Sequence, residues 1–219
     1  MKRLLSMCLL LFALLFLNSC AGTLVAPASD QASAVVVDLD YYIVNPLGME
    51  IKKTGYWLYF VRLDEEGKVP SLSEWHRGVW KDGSWYLLNA TPGYWTVAGV
   101  GYIDYGMIVD TKVVAPLPEG LVKKSKINLQ PGRVAYLGTY KVVLSKEKIS
   151  MDSVQQYYMK TFLAGEAKLS RHQIVDNFLL DFTKGGGVVP TTYTLIPDHG
   201  RRMDAIKKMG PAWADRVKE

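Results

Sequence analysis

Cysteine and histidine are scarce in this chain. Among 219 residues only Cys8 and Cys20 carry a thiol, and only His76, His172 and His199 an imidazole. Two cysteines cannot build a disulfide framework, which excludes the small secreted scaffolds that bridges hold together. No two histidines stand at ligand spacing, and neither His-Glu-x-x-His nor Cys-x-x-Cys occurs. The sequence therefore offers no metal site and calls for no cofactor. Gly-x-Ser-x-Gly is absent as well, and with it the local signature of a serine-hydrolase nucleophile. Gly185-Gly186-Gly187 is not a phosphate loop, since no Gly-Lys-Ser/Thr follows it. A strong charge of one sign is missing too. The net charge is +5, but Lys2 and Arg3 supply two of those charges. The stretch after Gly200 supplies the other three, because Arg201, Arg202, Lys207, Lys208, Arg216 and Lys218 face only Asp204, Asp215 and Glu219. The body between Cys20 and His199 is neutral, which argues against a nucleic-acid partner.

Long apolar runs are absent with one exception. Leu4 to Leu17 is apolar apart from Ser6, and Lys2 and Arg3 precede it. A helix needs ~20 apolar residues to cross a bilayer, so this run is too short for a span and suits the apolar region of an export signal. It ends in Leu17-Asn18-Ser19-Cys20. This resembles the lipobox of bacterial lipoproteins, an apolar residue and two small residues before an invariant cysteine. Asn18 departs from the usual small or β-branched residue. The resemblance implies a signal peptide over 1–19, cleavage between Ser19 and Cys20, and acylation of the Cys20 thiol and amine. Several acyl chains hold a protein firmly where one would not. Ala21 follows the cysteine, where aspartate would resemble an inner-membrane retention signal. The resemblance thus implies the outer membrane, with the protein facing the periplasm. Residues 20–34 are rich in Ala, Ser and Pro and read as a lipidated terminus with a flexible tether.

Residues 35–165 read as an antiparallel β-sandwich of about seven strands, with one or two C-terminal helices packed on it. Val35, Val37, Leu39, Tyr41 and Ile43 alternate with polar Asp38 and Asp40, a strand with one buried face. Tyr56 to Leu63 is a second strand. Asp82-Gly83 predicts a type I′ hairpin that pairs Trp80 with Trp85. Pro92-Gly93 and Pro131-Gly132 predict two equivalent corners, leading into strands Tyr94–Ile103 and Val134–Leu144. Gly99 and Gly101 mark a bulge or close packing. Lys124–Leu129 reads as a short strand. The stretch from Tyr56 to Val143 resembles prealbumin-like and carboxypeptidase-regulatory-like domains, and small lipoprotein domains of unknown function. That resemblance implies a fold and no activity.

Asp152 to Leu163 alternates and reads as a final strand, although helix is also compatible. Residues 166–219 read as a helical segment. Ser170 to Lys184 has a capping box and the stripe Ile174, Val175, Phe178, Leu179 and Phe182. Gly185 to Pro190 reads as a loop. Arg201 to Met209 is a short helix with Met203 and Ile206 on one side, broken at Gly210-Pro211.

Few side chains suggest chemistry. Asp38 and Asp40 share one strand face, but a solvated face is the simpler reading. Tryptophan is the one unusual signal, since five of the six lie between Trp57 and Trp95. Most of these suit core and cross-strand packing. Trp75, Trp80 and Trp85 form the candidate binding region, where exposed rings could stack on a sugar or peptide. The sequence thus leads to a lipid-anchored, non-catalytic β-domain with a structural or interaction role. A glycan- or peptide-binding module is the alternative, and an envelope hydrolase stands third. The partners expected are the membrane, through Cys20, and an envelope protein or glycan.

Overall fold

The structure is a computed structural model. It describes residues 24–45, 47–68, 74–105, 110–149, 187–198 and 200–217. Two sheets face each other, and the protein is mainly β, a β-sandwich with its few helices short and mostly near the C-terminus. The described residues hold eleven strands rather than about seven.

The first sheet contains β1 (Ser33–Val44), β2 (Glu50–Lys52), β5 (Val79–Lys81), β6 (Ser84–Ala90), β10 (Val134–Ile149) and β11 (Gly187–Ile196). Its order is β11-β10-β1-β6-β5, with β2 also on β1. The second contains β3 (Tyr56–Leu63), β4 (Trp75–Arg77), β7 (Gly93–Tyr105), β8 (Asp110–Pro116) and β9 (Ile127–Leu129), in the order β4-β3-β7-β8 with β9 also on β7. Nearly every pairing is antiparallel. The exception is β1 with β10, which run parallel from Ala34↔Val134 to Ile43↔Leu144.

The alternation expected in β1 holds on one side. Val35, Val37, Leu39 and Tyr41 enter the core between the sheets, with Leu58, Phe60, Trp95 and Val97 among their partners. The opposite side is not simply solvated. Ala34 and Val36 are buried there in a second apolar cluster, with Tyr86, Val134, Ala205, Ile206, Met209 and Trp213. Helices α2 (Arg201–Lys208) and α3 (Pro211–Ala214) supply that cover. Their buried residues are Ala205, Ile206 and Trp213, whereas Met203, grouped with Ile206 on one side from the sequence, is 51% exposed. Gly210 breaks the two helices apart with φ of 92°, a conformation glycine adopts without strain.

The tether expected up to Ala34 is shorter than its composition implies. Trp213 Nε1 donates to the Val25 carbonyl at 2.9 Å, and the Ala28 N–H donates to Asn89 Oδ1 at 2.8 Å. Arg216 donates to the Asp30 and Ala32 carbonyls. These hydrogen bonds tie the segment to the domain although Val25, Ala26, Ala28, Ser29, Asp30 and Gln31 are exposed.

The hairpin forms in the expected register, Val79↔Tyr86, Trp80↔Trp85 and Lys81↔Ser84, with Asp82 and Gly83 both at positive φ. Both Pro-Gly corners cross between the sheets. Thr91-Pro92 carries β6 into β7, and Gln130 to Arg133 carries β9 into β10. In β7 the register shifts by one residue opposite Tyr59 and Phe60, leaving Ala98 as the bulged residue. Gly101 meets the Trp57 indole so closely that a Cβ there would lie 2.2 Å from Nε1.

Three expectations need correction. Lys124 ends a helix, α1 (Glu119–Lys124), and strand begins only at Ile127. β8 was not foreseen. Gly187 to Pro190 is the start of β11 rather than loop, and proline is tolerated because β11 is the edge of its sheet. The strand expected over 152–163, the helix over 170–184 and the signal region with Cys20 lie outside the described residues.

Candidate functional site

The hairpin holds one tryptophan inside the molecule and one outside. Trp80 and Trp85 oppose each other, but β5 is an edge strand, so Trp80 lacks a neighbour on one side and is 58% exposed. Trp85, one strand further in, is 3% exposed and packs its ring 5.2 Å from that of Tyr56 in the facing sheet. Residues 53–55 carry the chain from β2 to β3 and so from one sheet to the other beside this hairpin. The result is a cleft of about 430 Å³ lined by Trp80, Trp85, Tyr56, Asp40, Lys52 and Lys53.

Each wall has a physical cause. The Tyr56 hydroxyl donates a hydrogen bond to the Leu39 carbonyl across the sandwich. Burial pushes the Tyr56 pKa up to about 12; Trp85 opposes the rise, and Asp40 and Asp38 add to it. The phenol is therefore a neutral donor at every physiological pH. Tyr41 lies beneath it, 5.6 Å from its ring and 5.9 Å from that of Tyr102. Burial raises the Tyr41 pKa well above the ordinary phenol value. The Tyr41 hydroxyl and Trp85 Nε1 are both buried without a hydrogen-bond partner at bonding geometry among the described residues. Such orphaned groups cost roughly 1–3 kcal/mol each. On the rim Lys52 Nζ is 2.6 Å from Asp40 Oδ1, and Lys53 Nζ sits 4.9 Å above the Tyr102 ring.

A second hollow, of about 300 Å³, lies on the other side of Gly83 and shares Asp40 and Lys52 with the first. Asp38, Asp82, Ser84, Arg201, Asp204 and Lys208 complete it. Asp38 and Asp40 both line this hollow but differ in partners, since Lys52 pairs with Asp40. Asp38 Oδ2 accepts the Tyr136 hydroxyl at 3.0 Å. Burial raises the Asp38 pKa, while Ser84, Tyr136, Lys208 and Arg201 pull it back. Ser84 stands near enough to lower it, yet Asp38 Oδ1 makes no bond of hydrogen-bond geometry. Among the described residues no three His, Cys, Asp or Glu side chains are placed to hold a metal ion.

The three tryptophans singled out in the sequence do not form one platform. Trp80 and Trp85 line the same cleft, with Trp85 as its floor. Trp75 lies on β4 in the other sheet, opposite Val61 and half-buried against the main core. Its neighbour Arg77 covers the Trp57 ring at 4.6 Å. Tyr56, Lys52 and Lys53 were not foreseen as site residues. The available signal was the Lys52-Lys53-Thr54-Gly55 run just before an aromatic strand.

The fold and this cleft define a β-sandwich with an aromatic-floored recess at one edge. No family model, no curated protein and no solved structure matches the chain.

Proposed function

We propose that this chain is a lipid-anchored protein of the bacterial cell envelope, with a non-catalytic β-sandwich that serves as an interaction domain. Acyl chains on Cys20 hold it at the outer membrane, with the domain in the periplasm. The observation that carries the anchoring is Leu17-Asn18-Ser19-Cys20 directly after a basic and then apolar leader. Among the described residues no helix is long and apolar enough to cross a membrane. Expression of the full chain in a bacterium fed an alkyne-bearing fatty acid tests the proposal. The chain should take up label and lose it in Cys20→Ala, which should also persist as uncut precursor. Equal labelling of the two would refute the anchor.

The cleft favours a second, more specific reading, a glycan-binding role. A sugar ring offers an apolar face for the Trp80 indole, and its hydroxyls match the acceptor and donor of the Asp40–Lys52 pair. Titration of tryptophan fluorescence with cell-wall saccharides tests this. An unshifted spectrum at millimolar ligand would exclude it.

A further inference from the structure

The proposed anchor and the described fold together fix which side of the domain meets the bilayer. Only residues 21–23 separate Cys20 from Leu24. Four Cα–Cα steps span at most ~14 Å. Leu24 is not free to move away from the domain. It packs on the second apolar cluster, and the next residue, Val25, receives the 2.9 Å hydrogen bond from Trp213. A lipidated Cys20 would therefore hold the surface around Leu24 within ~14 Å of the membrane surface.

That surface suits a bilayer. Leu24 lines a hollow with Lys81, Lys208, Pro211 and Ala212. Val25 and Val79 are 67% and 49% exposed beside it. Val79 and Lys81 share one side of edge strand β5. Lys81 Nζ donates to the Lys208 carbonyl and Lys208 Nζ to the Asp82 carbonyl, which holds both ammonium groups at this edge. The adjoining hollow sets Asp82 and Asp204 beside Lys208 and Arg201, so this edge carries both signs of charge. Cations beside a membrane surface gain about 1 kcal/mol each from anionic headgroups.

We infer that the outer face of the β5 edge, formed by Val25, Val79, Lys81, Lys208 and Ala212, rests on the anionic headgroup layer, so that the domain sits in one orientation rather than swinging on a tether. The inference rests on acylation of Cys20. The opposite edge of the sandwich, at β11 and α1, then faces away. Gly120 of α1 lies against the Tyr193 hydroxyl of β11, and Lys123 is exposed there.

The test uses the full chain, processed and lipidated in a bacterium and reconstituted into vesicles of phosphatidylethanolamine and phosphatidylglycerol. Ala212→Cys and Lys123→Cys each provide one thiol for a fluorophore, since Cys20 is blocked. A headgroup-attached spin label should quench position 212 several-fold more than position 123. Exchanging phosphatidylglycerol for phosphatidylcholine should reduce that difference. Equal quenching in protein that takes up acyl label and floats with the vesicles would overturn this inference alone. Protein that neither takes up label nor floats would overturn it together with the anchor.

Discussion

The two apolar clusters of this domain are built in different ways. The core between the sheets draws on eight strands and on α1, so its residues come from almost every part of the described chain. The cluster on the outer face of the first sheet joins the two ends of the described chain. Its lid is the helical segment 201–217, and its rim is the segment 24–32, fastened by hydrogen bonds with Trp213, Arg216 and Asn89. The first cluster is redundant, and the second depends on a few contacts. This difference separates what makes the fold from what positions it.

The largest effect expected in either cluster comes from Trp95→Ala. Trp95 is 1% exposed and its Nε1 donates to the Thr91 carbonyl at 2.8 Å. Loss of about 3–5 kcal/mol should appear as a uniform shift of the denaturation midpoint across all probes. Trp213→Ala removes a fully buried indole and should cost about 3 kcal/mol. Its signature is local: proteolysis near Val25 and faster amide exchange over 24–32, while the near-ultraviolet signal of the main core persists. If both variants unfold the whole molecule alike, the two clusters are one cooperative unit. Gly101→Ala should cost about 1–3 kcal/mol, because the new methyl meets the Trp57 indole. Trp80→Ala should change stability by less than about 0.5 kcal/mol. It should weaken saccharide binding on the order of tenfold, if the cleft is the site.

The smallest effect concerns pH. Burial raises the Asp38 pKa above 3.8, so the folded protein holds that proton more tightly than the unfolded chain. Its contribution to stability therefore falls as pH rises from about 3.8 towards the raised value and is constant above it. Asp38→Asn should flatten that part of the stability profile while keeping an acceptor for Tyr136. A profile unchanged by the substitution would show that Asp38 carries no such cost.

Sequence reading succeeded where a residue type has one use. Asp82-Gly83 fixed the hairpin and its register because both turn positions require positive φ. The Pro-Gly corners were legible for the same reason, although nothing local showed that they join different sheets. β11 escaped because three glycines and Pro190 read as loop. The structure accommodates the proline at an edge, opposite Leu144 and beside two register shifts. The outer cluster escaped because Ala32, Ala34 and Val36 look like half of an ordinary alternation until helices from 170 residues away cover them. In the cleft, sequence drew attention to Trp80 and Trp85 but grouped them with Trp75, since proximity along the chain hides a change of sheet. The partners of Trp80 come from β1 and the β2–β3 connection, and no pattern within the hairpin names them.

The parallel pairing of β1 with β10 bears on how the chain folds. β1 lies inside its sheet, yet its neighbour on one edge begins at Val134, one hundred residues after its partner Ala34. A chain made N-terminus first would present Val35, Val37, Leu39 and Tyr41 to water before that neighbour has been synthesised. Closing so long a loop is slow, and unpaired strand edges invite aggregation in the interval.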